Sequence, residues 1–235
     1  PSILGNVCMR FIDWIAPVPP GTLHARQEIE TQAALRLDRH PMGYGKFVEK
    51  YERRGRRWAV FEARYRDETG LLIGHGRTTI AFPEKIETKD EPTEEKKRPE
   101  RKGELTPITR KLTQDKMTAF SEDSYNAQNG RSIHVQPEVA KAAGFDTTVA
   151  QAAMAADYIS EMLTGVFGKE WFEYANLSLV FLNPILNGDT LTANGRLKEA
   201  PLEGAVVRKV YEVWAENQHG DAVAAGAASS LVRPG

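Results

Sequence analysis

The sequence lacks the features that mark several broad classes of protein. Its 235 residues include one cysteine, Cys8, so no disulfide can form within the chain, which fits a reducing cytoplasm. No apolar run approaches the roughly 20 residues that a membrane-spanning helix needs. The net charge of −1 provides no basic surface for nucleic acid or for an anionic membrane. We therefore expect a cytoplasmic protein with no nucleic-acid partner and no membrane partner.

Motifs for metal or phosphate binding are also missing. The cysteine and the five histidines form no cluster with metal-ligand spacing, and no glycine-rich phosphate-binding loop is present. We therefore expect no metal and no cofactor. What remains is a chain that is 41% hydrophobic and 27% charged. This balance supplies real cores for one large or two small globular domains.

The central feature of the chain is an apolar helical segment at 149–167. Its apolar residues recur at helical spacing and also occupy the remaining faces, as in a helix that is buried on nearly all sides. Segments typical of β-strands follow it at 176–183, 190–197, 205–216 and 222–232. We expect these strands to wrap the helix, and we place the chemistry in the polar loop just before it.

The first half of the chain shows one helix followed by strands. Ser2 is a suitable N-cap, and apolar residues continue at helical spacing as far as Ile15. Cys8 lies on this apolar stripe and is expected in the core. The β-type runs that follow cover 23–37, 46–66 and 71–82. This half therefore predicts a helix followed by an antiparallel sheet.

A charged segment at 84–104 separates the two halves. It is dense in Glu, Lys, Arg and Asp of mixed sign, with two prolines and almost nothing apolar after its first few residues. Such a composition is typical of a solvated linker. We therefore predict one unit at 1–83 and a second unit at 105–235.

Glycine and proline spacings suggest that the two units are copies. Two pairs of positions in the first unit recur at the same separations in the second unit, which argues for duplication of one helix-plus-sheet unit. The matched positions are Pro41 and Gly45 with Pro184 and Gly188, and Gly70 and Gly76 with Gly220 and Gly226.

The duplication also predicts what the first unit is missing. The helix that opens at Ser2 corresponds to the one that opens near Ala152, so residues 105–151 have no counterpart in the first unit. The first unit then lacks its first strand and loop. Because residues 105–151 of the second unit have no counterpart, we expect roughly 45 residues of the first unit upstream of Pro1.

Four blocks in the second half resemble one protein family. They are, in order, LTQDKMTAFSEDS, SIHVQPEVAKAAGF, TVAQAAMAADYISEML and LSLVFLNPILNGDTLTANGRL. Their order and spacing are similar to those of the MaoC-like acyl dehydratases, the (R)-specific enoyl-CoA hydratase group, over nearly all of 105–234. The first half looks like a degenerate copy. The resemblance implies an α+β double hot-dog fold, with a long buried helix wrapped by an antiparallel sheet in each unit, and a thioester bound between the units.

The resemblance also implies the residues of the site. His134 stands at the position of the family's histidine. The family's aspartate falls on Asn129 when counted back from His134, and on Asn126 when counted forward from Phe120. We take His134 and Asn129 as the catalytic residues. The expected substrate-binding residues are Asn126, Arg131, Ser132, Gln151 and Ala152.

The chemistry of hydration explains these roles. Adding water to an unsaturated thioester needs a base for the water, a proton for C2 and donors for the enolate oxygen. The imidazole of His134 accepts a proton near neutral pH, and N–H groups of Gln151 or Ala152, at the positive end of a helix, suit the enolate. An asparagine orients water but cannot accept its proton. Glu122 and Asp123 on the same loop are alternative carboxylates.

Two classes of function remain open from the sequence. The first is a lyase of fatty acid metabolism that hydrates 2-enoyl-CoA or dehydrates 3-hydroxyacyl-CoA. The second is a non-catalytic hot-dog protein that binds an acyl thioester or supports a catalytic partner. A thioesterase is disfavoured because such sites usually need a carboxylate on or near the long helix, and Glu161 lies about three turns in. In each case we expect acyl-CoA as the ligand and a homo-oligomer as the assembly.

Overall fold

The structure is a computed structural model that describes residues 1–15, 18–19, 21–83, 102–203 and 206–232. Of the charged segment predicted as a linker, 84–101 lies outside the described residues. The described helices are α1 (Ser2–Ile15), α2 (Gln114–Ser121), α3 (Tyr125–Gln128), α4 (Pro137–Ala142), α5 (Ala153–Phe167) and α6 (Glu170–Tyr174). The described strands are β1 (Leu23–Thr31), β2 (Met42–Arg53), β3 (Arg56–Arg66), β4 (Leu72–Ala81), β5 (Ile108–Lys111), β6 (Asn176–Phe181), β7 (Thr190–Glu199), β8 (Leu202–Glu203), β9 (Val206–Glu216) and β10 (Ala222–Val232).

The strands form one continuous antiparallel sheet. Their order is β2-β3-β4-β1-β6-β10-β9-β7-β5, with β8 paired to β9. From the centre outwards, β1-β4-β3-β2 on one side is matched by β6-β10-β9-β7 on the other side. Strands β1 and β6 pair with one another and join the two halves edge to edge. This confirms the predicted α+β architecture of two similar helix-plus-sheet units. β5 has no counterpart among the described strands of the first unit.

One long helix lies in each unit. α1 packs on β4, β3 and β1, while α5 packs on β7, β10, β9 and β5, and the two helices also contact each other. The face that α5 buries includes Ala155, Ile159 and Leu163, which are all fully buried. Their spacing of four residues places them on one face of the helix. Burial of a leucine or isoleucine side chain contributes about 1.5–3 kcal/mol, so both helices are held chiefly by the sheet.

Cys8 lies in the core, as predicted. Its side chain is fully buried on α1, and its Sγ lies 3.0 Å from the hydroxyl of Tyr65. That hydroxyl donates in turn to the carbonyl oxygen of Leu4. Burial raises the pKa of the Cys8 thiol, so the thiol stays protonated and packs as a small apolar side chain.

One of the matched glycine pairs has the same structural role in both units. Gly70 and Gly220 have positive φ values of 87° and 78°. They close turns in which the side chains of Asp67 and Asn217 accept backbone N–H groups two and four residues further on. Positive φ favours glycine, and a side-chain oxygen that mimics a backbone carbonyl favours Asp or Asn. The spacing therefore reflects one turn used twice.

The proline-to-glycine match does not reflect a shared geometry. Gly45 lies within β2, paired with Ala63 of β3. Gly188 instead has φ 95° in the turn before β7. A separation of four residues between proline and glycine is compatible with both conformations, so this part of the repeat argument was wrong.

The run predicted at 46–66 is a hairpin rather than one strand. β2 and β3 pair along their whole length and turn at Arg54 and Gly55, whose φ values are 52° and 73°. Two successive positive φ values are typical of the tight turns that join twisted strands. The run predicted at 23–37 is also shorter, because β1 ends at Thr31.

Candidate active site

Local capping signals position the polar loop of the second unit. The side chain of Thr113 caps α2, and that of Ser124 caps α3. Pro137 begins α4, and Gly144 follows its end with φ 88°. Each of these residues suits its position, since caps need a side-chain acceptor and proline has no N–H to satisfy. Together they hold His134 in the connection between α3 and α4.

Three hydrogen bonds fix His134. Its Nδ1 lies 2.6 Å from the carbonyl oxygen of Val149, and its backbone N–H donates to the hydroxyl of Ser132 at 3.1 Å. Its own carbonyl oxygen accepts from the side-chain amide of Gln114 at 3.0 Å. A carbonyl oxygen only accepts, so Nδ1 carries the proton. In the neutral ring, Nε2 then has a free lone pair.

The surroundings of His134 favour its neutral form. Burial lowers the pKa of the imidazole from its ordinary value of 6.5. The hydrogen bond to Val149 acts in the opposite direction, while the positive charge of Arg10 lowers the pKa further. The ring is therefore a base at neutral pH, held in one tautomer and one orientation.

Ser132 supports the histidine from inside the loop. Its side chain is 2% exposed, and its backbone N–H donates to the side-chain carbonyl of Gln136 at 2.9 Å. Its own carbonyl oxygen accepts the backbone N–H of Gln136, also at 2.9 Å. We predicted Ser132 as a substrate-binding residue. In the structure its hydroxyl accepts the N–H of His134 and keeps its own O–H as a donor, so its substrate-binding role stays a prediction.

The two asparagines of the loop face different surroundings. Asn126 is half-buried and donates its side-chain amide to the carboxylate of Asp13 at 2.7 Å. Asn129 is exposed at the end of α3, and its amide donates to the carbonyl oxygen of Tyr125 at 2.8 Å. The amide of Asn129 is thus engaged by its own helix, and its catalytic role stays a prediction. Asn126 is the asparagine that faces the interior.

The remaining charged candidates of the loop lie on its surface. Arg131 is exposed, and its backbone N–H donates to the carbonyl oxygen of Asn126 at 2.8 Å. Glu122 and Asp123 are exposed as well. All three side chains are thus open to solvent, and their roles stay predictions.

The N-terminus of α5 lies beside the histidine. Val149, whose carbonyl oxygen binds His134, is three residues before Ala152 at the start of this helix, and no side chain caps it. Among the described residues, the N–H groups of Gln151 and Ala152 make no backbone hydrogen bond. The side chain of Gln151 donates to the hydroxyl of Ser121 at 3.0 Å. The two residues that lead into α5 thus offer free donors at the positive end of a helix.

Sequence reasoning missed two residues of α1 that reach this loop. Asp13 is 7% exposed and accepts from Asn126, and Arg10 donates from Nη2 to the carbonyl oxygen of Phe120. Burial raises the pKa of Asp13, against the hydrogen bonds it accepts and the charge of Arg10. The sequence did contain a signal. Arg10 and Asp13 carry opposite charges three residues apart on α1, the helix expected to be the counterpart of the buried α5.

Metal sites and membrane-spanning helices are two further features of functional interest. In the part of the chain that the structure describes, no group of three or more His, Cys, Asp or Glu side chains is arranged to hold a metal ion. No described helix is long and apolar enough to cross a membrane.

Solved structures of several other proteins share this fold. Full-length peroxisomal multifunctional enzyme type 2 of Drosophila melanogaster is 16% identical, with a TM-score of 0.67 over 98% of this chain, which spans 40% of the fly protein. HtdX of Mycobacterium tuberculosis is 15% identical, with a TM-score of 0.70 over 97% of this chain and 85% of that one. A conserved hypothetical protein of M. tuberculosis, described as a double hot-dog fold, is 10% identical, with a TM-score of 0.64 over 99% and 81%.

These likenesses are too distant in sequence to show more than the double hot-dog fold. No curated protein sequence matches the chain. The family model described as "MaoC like domain" matches residues 95–219, just over half of the chain. This match includes the loop of His134, the buried α5 and most of the sheet that wraps it. By this match, the chain belongs to the MaoC-like domain family of dehydratases.

Proposed function

We propose that this protein hydrates 2-enoyl-CoA thioesters, or dehydrates 3-hydroxyacyl-CoA in the reverse direction, with His134 as the acid and base. The observation that carries the proposal is the hydrogen bond of 2.6 Å from Nδ1 to Val149. It fixes the tautomer, so that Nε2 is the proton acceptor. The same segment leads directly into the uncapped N-terminus of α5.

One residue can carry both proton transfers. The oxygen of water attacks C3 of the substrate while Nε2 of His134 takes one of its protons, and the π electrons move to the thioester oxygen to give an enolate. The enolate then collapses, and C2 takes the proton back from the imidazolium. The elements of water have been added across the double bond, and the histidine is neutral again. A positioned base of this kind contributes about 10²- to 10⁴-fold in rate.

The two residues that lead into α5 suit the charge that develops on the substrate. We place the thioester oxygen near the N–H groups of Gln151 and Ala152, which have no backbone partner among the described residues. Donors aimed at a developing oxyanion, at the positive end of a helix, stabilise it by about 3 kcal/mol. In this role both residues act through the backbone.

Two other predicted contacts take more peripheral roles. Arg131 is exposed on the loop, and its planar guanidinium suits the phosphate groups of coenzyme A. Asn126 positions the loop through its bonds to Asp13. We also propose a homo-oligomer and a cytoplasmic location, the latter because the sequence has only one cysteine.

The second candidate is a protein that binds acyl thioesters without catalysis. The observation in its favour is the absence of an aspartate where the family pattern has one, since Asn126 and Asn129 are the two residues that can align there. An amide cannot take a proton from water. In this candidate the acyl thioester still binds between the units, near the N-terminus of α5, but His134 has no catalytic role.

Absorbance of the enoyl thioester separates the two candidates. Purified protein is mixed with crotonyl-CoA and with longer 2-enoyl-CoA substrates, and loss of the conjugated double bond is followed while the product is analysed for 3-hydroxyacyl-CoA. The proposed function predicts hydration of at least one chain length, with the (R)-3-hydroxy product that the family resemblance implies. Tight binding of acyl-CoA without hydration at any chain length would contradict the proposal and favour the binding protein.

A further inference from the structure

Polar side chains form a stripe along one face of α1. Asn6, Arg10 and Asp13 follow one another at intervals of four and three residues, which places them on the same side of the helix. Two of them contact the second unit: Arg10 binds the carbonyl oxygen of Phe120, and Asp13 binds Asn126. The helix of the first unit therefore turns its polar face towards the loop that carries the chemistry.

Arg10 is held in place yet keeps a free donor. Nη2 is used by Phe120, which fixes one side of the planar guanidinium. Nη1 is buried and has no hydrogen-bond partner in the part of the chain described by the structure, and the same is true of Oδ1 of Asn6. An unsatisfied buried donor costs about 1–3 kcal/mol, and more when it is charged. Such a cost is expected where a ligand supplies the partner.

The charge of Arg10 reaches the catalytic histidine. Burial chiefly lowers the pKa of His134 and raises that of Asp13, and the positive charge of Arg10 adds to the first shift and opposes the second, so it acts on both groups. No carboxylate of the described residues forms an ion pair with Arg10. A half-buried guanidinium whose buried Nη1 has no partner among the described residues, and whose charge acts on the proposed base, is suited to a substrate that becomes negatively charged during the reaction.

We propose that Arg10 is a catalytic residue, whose Nη1 donates a hydrogen bond to the thioester oxygen of the substrate and stabilises the enolate. The proposal rests on the proposed function of the site and adds a contribution from the first unit. Arg10 transfers no proton in this proposal; its guanidinium acts only as a hydrogen-bond donor. It supplies a fixed positive charge, while His134 moves the proton between water and C2.

The test uses two arginine variants and one matched control. Arg10→Met removes the donor and the charge at similar length, and Arg10→Lys keeps the charge without the planar fork. Arg196→Met is the control, because Arg196 lies on β7, paired with Glu212 on the exposed sheet. Thermal melts identify any variant that fails to fold. If Arg10→Met is unfolded, Arg10→Lys alone carries the comparison.

Two readouts separate this proposal from the proposed function. The first is kcat for crotonyl-CoA hydration, which we expect to fall about 100-fold in Arg10→Met, less in Arg10→Lys, and not in Arg196→Met. The second is calorimetric binding of butyryl-CoA compared with S-butyl-CoA, a thioether without the carbonyl oxygen. We expect the wild type and Arg196→Met to prefer the thioester by about 10-fold, and Arg10→Met to lose this preference.

The outcomes are distinguishable. Hydration by the wild type that is unchanged in folded Arg10 variants, with the thioester preference retained, would overturn the role of Arg10 and leave the proposed function standing. A thioester preference that disappears in Arg10→Met, in a protein that hydrates nothing, would support the Arg10 contact and reject the hydratase. Absence of both hydration and preference in the wild type would reject both.

Discussion

At the scale of single residues, the chemistry depends on an imidazole that is fixed before substrate arrives. His134 is oriented through its backbone N–H, its carbonyl oxygen and Nδ1. Replacement with Gln keeps a donor for the carbonyl oxygen of Val149 but provides no base. We expect His134→Gln to lower the hydration rate about 100-fold or more, with little change in the melting temperature. A steady-state assay and a thermal melt check both parts; a variant as active as the wild type would move the chemistry elsewhere.

The two asparagines provide a second prediction. An aspartate at position 126 would place its carboxylate where an amide now donates to Asp13 at 2.7 Å. Two carboxylates at that distance must share a proton or repel each other, so we expect Asn126→Asp to destabilise the protein by about 2–4 kcal/mol without faster hydration. The exposed Asn129→Asp should change stability by less than about 0.5 kcal/mol.

Urea unfolding measures the stability of both variants, and the crotonyl-CoA assay measures their hydration rates. A stable Asn126→Asp protein that hydrates faster than the wild type would contradict this account, because the residue would then work as the family's aspartate. Faster hydration by Asn129→Asp would reinstate Asn129 beside His134.

How much of the site the sequence predicts depends on how local its signals are. His134 and the start of α5 near Ala152 were predicted because one contiguous segment carries both. The choice of Asn129 over Asn126 had no physical basis in the sequence, since both fit the count and only the fold shows which one is turned inward. Arg10 was missed because its contact with Phe120 joins residues 110 positions apart.

At the scale of elements, too, the sequence predicts best the features whose signals are local. β10 was predicted at 222–232, and the structure gives Ala222–Val232, since a turn with glycine precedes it. The hairpin of β2 and β3 was missed because its turn, at Arg54 and Gly55, is flanked by charged residues rather than by a cluster of turn formers. The pairing of β1 with β6 follows from the duplication, not from either strand alone.

The contact between β10 and β6 gives a third prediction. A Cβ added at Gly226 would lie 1.9 Å from the carbonyl oxygen of Ser178, so the strands must separate to admit it. We expect Gly226→Ala to destabilise the protein by about 3 kcal/mol or more. The control is Gly165→Ala in α5, where an added Cβ meets nothing within 4 Å and helix propensity predicts a gain of up to about 1 kcal/mol.

Thermal or urea unfolding of the two glycine variants checks this prediction. Equal stability of Gly226→Ala and the wild type would show that β10 and β6 are not as close as the structure has them.

At the scale of the whole molecule, a histidine at the junction of the units links stability to pH. The ring of His24 lies 4.6 Å from that of Phe181, across the paired strands β1 and β6. Burial lowers the pKa of His24 from 6.5 to about 4. The unfolded chain therefore binds the proton more tightly, and the free energy of unfolding must fall as pH drops from about 6.5 to about 4.

The fourth prediction follows from this sign. The loss through His24 is at most about 3 kcal/mol, since each pKa unit corresponds to about 1.4 kcal/mol. We expect His24→Gln to lose less stability than the wild type between pH 6.5 and pH 4, in urea melts at both values. Both proteins contain the other titratable groups, including His134 and Asp13. The difference between their losses of stability therefore isolates the contribution of His24. Equal losses in the two proteins would show that His24 titrates normally.

The pH dependence of kcat/KM for crotonyl-CoA hydration, measured in the wild type and in His134→Gln, tests the central claim most directly. Burial and the charge of Arg10 lower the pKa of His134, and only its neutral form accepts a proton. We therefore predict a rate that stays high down to pH 6.5 and falls below it, with this acid limb absent from whatever activity the variant retains. An acid limb of the same midpoint in His134→Gln, or no hydration by the wild type at any pH, would contradict the account.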